Sequence, residues 1–256
     1  KAADLADAAK QLGNEDAKLV AGGMTLIPTL KQRLAKPSDL IDLGNTPGLK
    51  GIKEEGGGVT IGAMTRHVEV LRSDIVKRVI PALSNLAGLI GDPAVRNRGT
   101  IGGSISNNDP AADYPSAVVA LGATVVTTKR EIAGDDFFTG LFETALGQDE
   151  IVTAVKFPRA QAAAYQKFKN PASRYAIVGV FVARTGSGVR VAVTGAGPCV
   201  FRVPEMEAAL SKSFSADAIK DIAIPDDGLN TDIHASAEYR AHLVNVMARR
   251  AVAACA

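Results

Sequence analysis

The apolar positions change their rhythm along the chain. In the first sixty residues, short helical and strand-like patterns alternate. Leu5–Leu12 carries apolar and alanine positions at helical spacing and breaks at Asn14-Glu15-Asp16. Lys18–Ala21 is a short β-type run closed by Gly22-Gly23. Helical spacing returns over Thr25–Leu34 through Leu26, Ile27, Leu30 and Leu34, stops at Pro37, and gives way to a strand at Leu40–Leu43. Strand, glycine turn, helix and strand in this order predict a βαβ unit with parallel strands.

Gly56-Gly57-Gly58 predicts a hairpin turn before a strand at Val59–Ile61, followed by helical segments around Thr65–Leu71 and Val79–Ile90. Gly91–Asp113 is rich in Gly, Asn, Asp and Pro and holds few apolar residues beyond Val95, Ile101 and Ile105, so it reads as a long loop. A loop of that length inside a compact domain is functional or disordered. Regular patterns resume at once, a helix at Tyr114–Leu121 and a strand at Thr124–Thr128, which favours function. Near residue 160 the alternation ends. Ile151–Phe157 and Ala163–Lys169 are strand-like, Ala176–Arg184 and Val189–Val193 form a hairpin around Thr185-Gly186-Ser187-Gly188, and helices follow at Pro204–Leu210, Ala216–Ile222 and Ala237 to about Ala253. The shift predicts two domains, 1–160 (in parts of about 1–50 and 51–160) and 161–256.

At 256 residues with 46% apolar content the chain can bury a real core, and a net charge of +2 without a long basic run gives no footprint for nucleic acid or an anionic membrane. Apolar runs such as Ala117–Val126 are too short to span a bilayer. Cys199 and Cys255, far apart, cannot hold an iron–sulfur cluster or a cysteine-only zinc site by themselves. They fit a reducing compartment, and the cytoplasm is the expected location. The start at Lys1 leads us to expect a short missing N-terminal piece.

Two glycine segments could cradle an anion. Ala21-Gly22-Gly23-Met24-Thr25 lies at a strand-to-helix joint, where backbone amides point outward and the helix dipole favours negative charge. Thr100-Ile101-Gly102-Gly103-Ser104 brackets its glycines with hydroxyls, and successive amides there could form a nest. Neither segment has GxGxxG or GxxxxGK[ST] spacing, which argues against a Rossmann dinucleotide fold and a P-loop. Arg96 and Arg98 read as solvated surface charge. Asp113 reads from pattern alone as the N-cap of the helix at Tyr114, with acceptance from ligand hydroxyls as the functional alternative. His67, His234 and His242 are scattered and read as structural or surface residues, with His234 capping a helix.

Taken together, these segments resemble the flavin subunits of the carbon monoxide dehydrogenase and xanthine dehydrogenase family. Leu19-Val20-Ala21-Gly22-Gly23-Met24-Thr25-Leu26 is similar to that family's first FAD-pyrophosphate loop, and Ile90 through Ser104 to its second. Asp109 to Leu121, Asp149 to Pro158, Phe168 to Val180 and Asp232 to Arg240 extend the likeness over nearly the whole chain. The resemblance implies an α+β fold: a two-part α/β FAD-binding domain of the PCMH type, non-Rossmann, then a C-terminal domain with a three-stranded antiparallel sheet and helices. It implies noncovalent FAD, with Leu19–Leu26 and Thr100–Ser104 holding the pyrophosphate through backbone amides and Asp113 on the ribose or ribityl side. Ile90 stands where the family can place an aromatic residue near the flavin. Val152 would line the pocket, Lys169 would lie close to the isoalloxazine, and Tyr175 would lie beside that ring.

The role implied is electron relay in a molybdenum hydroxylase. Substrate oxidation would belong to a large molybdopterin subunit, [2Fe-2S] clusters to a small subunit, and the assembly would be a heterotrimer or its dimer. No residue of this chain is expected to be catalytic, since no nucleophile–base constellation is visible. Two alternatives stay open on sequence: a self-contained flavin oxidase of the same fold group, against which stands the lack of His or Cys in the glycine segments, and a binding module without cofactor.

Overall fold

The computed structural model describes residues 1–14 and 16–255. The predicted break at Asn14-Glu15-Asp16 therefore falls in part on Glu15, outside the described residues. The N-terminal part is the expected βαβ unit: α1 (Leu5–Leu12), β1 (Lys18–Val20), α2 (Leu26–Lys31) and β2 (Leu40–Asp42). β1 and β2 pair in parallel, Leu19 opposite Ile41. Asp4 caps α1 by accepting from the Asp7 amide, and Ala8, Leu12, Ala17, Ile41 and Leu43 bury together against Leu49, Met64 and Ile151.

The next part is built on an antiparallel sheet. β3 (Ile52–Glu55) and β4 (Gly58–Gly62) form the predicted glycine hairpin, and then five helices follow: α3 (His67–Arg72), α4 (Asp74–Val79), α5 (Pro81–Leu89), α6 (Pro93–Arg98) and α7 (Ile101–Asn107). After α8 (Tyr114–Ala120) come β5 (Thr124–Thr127), β6 (Glu131–Ala133), the single turn α9 (Gly134–Phe137), a small hairpin of β7 (Phe138–Gly140) and β8 (Glu143–Thr144), and β9 (Val152–Pro158). The five-stranded order is β3-β4-β9-β5-β6. The expected long loop Gly91–Asp113 is corrected here, because α6 and α7 occupy most of it. Asp92 caps α6 by accepting from the Val95 amide, with Pro93 in the first turn, and Thr100 caps α7 by accepting from the Gly103 amide. Gly102 lies so close to Ala63 that an added Cβ would meet the Ala63 carbonyl oxygen at 2.8 Å. Tertiary packing makes the helix where composition argued for a loop.

The C-terminal sheet runs β10 (Ala162–Lys169), β11 (Ala176–Thr185), β12 (Gly188–Thr194) and β13 (Phe201–Arg202), all antiparallel, so the expected three strands gain a short fourth. α10 (Pro204–Lys212), a 3₁₀ turn at Ala216–Ile219 and α11 (Ala237–Ala254) complete the chain. β11 is apolar on both faces because both are covered. Val178, Val180 and Val182 pack against α10 and α11, while Phe181 and Ala183 join Tyr165 in the core shared with α5 and α8. Among the described residues no helix is long and apolar enough to cross a membrane.

Candidate functional site

A cavity of about 1050 Å³ lies between the βαβ unit, the helices α6 to α8 and the start of the C-terminal sheet. That is room for a large cofactor. Its walls bring together Leu19, Ala21, Gly22, Gly23, Met24, Thr25 and Leu26 from the β1–α2 joint. Thr100, Gly102, Gly103 and Ser104 line it next to them, and Ile90, Asp113, Val152 and Tyr175 complete the enclosure. Val20 and Ile101 are adjacent in sequence but do not line it, Ile101 being fully buried in the core.

The two glycine segments differ in what they offer. Among the described residues, the amides of Gly22, Gly23, Met24, Thr25 and Leu26 make no hydrogen bond within the protein. They are free donors beside a helix start. In the second segment the amides of Ile101 to Ser104 are already used: Ile101 donates to the Thr65 carbonyl at 3.1 Å and Gly102 to the Ala63 carbonyl at 2.8 Å. The Gly103 amide donates to Thr100 Oγ1 at 3.1 Å, and Ser104 to the Thr100 carbonyl at 3.0 Å. Among the described residues the Thr100 amide is the one in this segment without a hydrogen bond inside the protein, so fewer donors are left here than in the first segment. The glycines are also needed for the chain's own packing. A Cβ on Gly22 would lie 2.2 Å from the Arg98 carbonyl oxygen, so Gly22 lets the two segments touch.

Arg96, read from sequence as surface charge, braces the wall from behind, donating to the carbonyls of Ile90 at 2.9 Å and Gly91 at 3.1 Å. Asp113 makes no capping bond. Its carboxylate is buried and accepts from the Tyr165 hydroxyl and from Lys167 Nζ at 2.9 Å. Burial pushes its carboxyl above the usual carboxylate range, while Lys167 and the Tyr165 hydrogen bond pull the other way. Lys167 was not among the residues expected at the site. Lys169, expected near the isoalloxazine, is exposed at the end of β10 and is not part of the cavity wall; the pairing of β10 with β11 slips there, leaving Ile177 of β11 as the extra residue.

His67, expected to be structural or on the surface, is buried on the cavity wall. Burial, with a smaller contribution from the nearby Arg96 charge, holds its pKa down at about 4, so the ring is neutral at physiological pH. Its Nδ1 and the hydroxyl of Tyr114, whose ring centroid lies 5.4 Å away, are buried polar atoms without a partner among the described residues. His234 does not cap α11, since Ser236 does so by accepting from the Tyr239 amide. Asp232, at the cavity's C-terminal edge, accepts from the amides of His234 and Ala235 and pairs with Arg240 at 2.7 Å. Arg240 in turn holds the carbonyls of Ile177 and Gly195.

A βαβ unit facing a helix-flanked antiparallel sheet, with free amides on one wall and a buried carboxylate in another, defines a non-Rossmann nucleotide cleft. The comparisons with known proteins specify it. Residues 1–160 match the family described as the FAD binding domain in molybdopterin dehydrogenase, and residues 163–255 match the CO dehydrogenase flavoprotein C-terminal domain. The chain is 37% identical to the nicotine 6-hydroxylase medium subunit of Paenarthrobacter nicotinovorans, over 93% of this chain and 89% of that one. It is also 37% identical to the carbon monoxide dehydrogenase medium chain of Hydrogenophaga pseudoflava, over 94% and 90%. A solved carbon monoxide dehydrogenase from Hydrogenophaga pseudoflava, lacking the Mo-pyranopterin moiety of its cofactor, superposes with a TM-score of 0.89 over 98% of this chain and 94% of that one, at 37% identity. The chain belongs to the family of FAD-binding medium subunits of molybdenum hydroxylases, which are oxidoreductase flavoproteins.

Proposed function

We propose that this chain holds FAD noncovalently in the 1050 Å³ cleft and relays electrons from a small [2Fe-2S] subunit to an external acceptor. Substrate oxidation then takes place on a large molybdopterin subunit, in a heterotrimer or its dimer. The observation that carries the reading is the run of free amides from Gly22 to Leu26 on the cavity wall, packed beside the Thr100–Ser104 segment. These amides suit a pyrophosphate, the hydroxyls of Thr100 and Ser104 add donors from the adjoining segment, and Asp113 suits sugar or ribityl hydroxyls. Ile90, Val152 and Tyr175 supply apolar and aromatic wall for a flat ring. When bound, FAD takes up an electron pair and passes it on, which none of the side chains here can do. The chain's own part is to bind, orient and shield.

The division we propose falls at about residue 160, supported by the break between the five-stranded and four-stranded sheets. A cytoplasmic location fits the free thiols of Cys199 and Cys255. The test is reconstitution of the purified chain with FAD followed by acid precipitation. Equimolar flavin that appears in the supernatant supports the reading. Colour retained by the precipitate overturns noncovalent binding and points to attachment at a wall residue such as His67.

A further inference from the structure

Asp113 owes its state to one strand. Tyr165 and Lys167 are two residues apart on β10, so their side chains leave the same face, and both reach the Asp113 carboxylate, one at each oxygen. The Lys167 side chain is only 2% exposed, and its ammonium also donates to the Leu89 carbonyl at 3.0 Å, which fixes where the charge sits. Asp113 itself lines the cavity. We propose that Lys167, assisted by Tyr165, is the positioning residue that keeps Asp113 a charged, correctly turned acceptor for vicinal hydroxyls of a sugar or sugar-alcohol chain in the cleft. The inference rests on the reading of the cleft as an FAD site and names which protein groups make its carboxylate usable.

A buried carboxylate without a cation takes up a proton rather than remain charged. Among the described residues, Lys167 is the one cation acting on Asp113. The other groups around it carry no charge that could replace Lys167. Tyr165 donates a hydrogen bond, and Tyr114 on α8 stays protonated, its pKa raised by burial. His67 on α3, its ring tilted against Tyr114, is neutral. α5 contributes the Leu89 carbonyl, and β12 contributes the Thr194 hydroxyl, which donates to the carbonyls of Pro110 and Ala112. Asp109, in the same loop, accepts from the Ala111 amide and faces the cavity. A protonated Asp113 accepts ligand hydroxyls poorly, so removing Lys167 converts a constant affinity into a pH-dependent one.

The experiment is fluorescence titration of the full-length apoprotein with FAD from about pH 6 to about pH 9, with thermal unfolding of each variant recorded alongside. Wild type should bind with nearly constant affinity. Lys167→Met should bind about 10- to 100-fold more weakly at the low end, the loss of a charge-assisted hydrogen bond, and recover as pH rises and the carboxyl ionises. Asp113→Asn and the double variant should both be weak at every pH, and Lys167→Arg should retain most of the affinity. Tyr165→Phe should shift in the same direction as Lys167→Met by a smaller amount, so the proposal remains testable if Lys167→Met fails to fold. A uniform loss across the range, or no loss, in the folded Lys167→Met variant overturns the proposal. Wild-type protein that does not bind FAD, by contrast, overturns the reading of the cleft.

Discussion

Replacing Gly22 by alanine should loosen the fold before it touches any ligand. The added Cβ would sit 2.2 Å from the Arg98 carbonyl oxygen, 2.8 Å from its carbon and 2.8 Å from Gly99 Cα. All three are backbone atoms, so no rotamer change relieves the clash. To reach ordinary contact the two segments must part by roughly 1 Å. The Arg98–Thr100 chain cannot yield freely, because the Gly99 carbonyl accepts from the His67 amide at 3.0 Å and Thr100 bridges to Arg66. Overpacking of this kind costs about 1–3 kcal/mol, and a backbone obstruction belongs at the upper end, about 3 kcal/mol. For a chain of this size that is a fall in Tm of roughly 6–12 °C. Gly103→Ala is the control. Its Cβ meets Thr100 Oγ1 at 3.0 Å and Ala21 Cβ at 3.5 Å, side-chain atoms with room to adjust, and it should move Tm by less than about 2 °C. Circular dichroism melts of the two apoproteins make the comparison. A Gly22→Ala melt within about 2 °C of wild type would refute the claim that this glycine exists for contact between the segments.

Other consequences follow from single contacts. Glu150 accepts from Thr127 at 2.7 Å, Arg130 at 3.0 Å and the Gly147 amide at 2.9 Å, and the Arg130 hydrogen bond leads in holding its carboxyl at about 2 against an ordinary 4.5. A depressed carboxylate stabilises the fold above its unfolded pKa, and that stability is lost as pH falls from about 4.5 towards 2. With Arg130 half exposed the contribution is on the order of 2 kcal/mol. Urea unfolding of Glu150→Gln should therefore show a flatter acid limb, and an unchanged limb would remove Glu150 from the account. Arg240→Met should cost about 2–4 kcal/mol, chiefly because it strips the donor from two buried carbonyls, while half-exposed Asp232 is left to solvent; a melt equal to wild type would contradict this. Phe142, more than half exposed at φ 56°, should tolerate Gly with a gain of about 1 kcal/mol, since a bulky side chain is strained in the left-handed region, and a lowered Tm would show that its ring packs usefully.

The parts of the fold set by local periodicity were legible in the sequence. The βαβ unit, the Gly56-Gly57-Gly58 hairpin and the β11–β12 hairpin all appear where apolar spacing and glycine turns put them. α6 and α7 did not, because glycine and polar residues there hide helices that exist through caps and close packing. Asp92-Pro93 and Thr100 were the available signals, an N-cap with proline following and a hydroxyl cap. Most of the cavity wall was legible through family resemblance, but the state of its donors was not. That Ile101 to Ser104 spend their amides on Thr65, Ala63 and Thr100 depends on contacts between distant segments. Lys167 had a faint local signal, two residues from Tyr165 on one strand face. The slip in register beside Lys169 had none, since it is a property of the pairing with β11. Similarly, β13 is two residues long and follows no pattern that spacing could reveal.

The central claim is that this chain relays electrons and does not oxidise the substrate itself. Stopped-flow absorbance of the flavin, with the physiological substrate added under anaerobic conditions, tests it most directly by comparing the assembled complex with the isolated FAD-loaded chain. Rapid bleaching is expected in the complex and none in the chain alone, although dithionite reduces both. Substrate-driven bleaching of the isolated chain would contradict that claim.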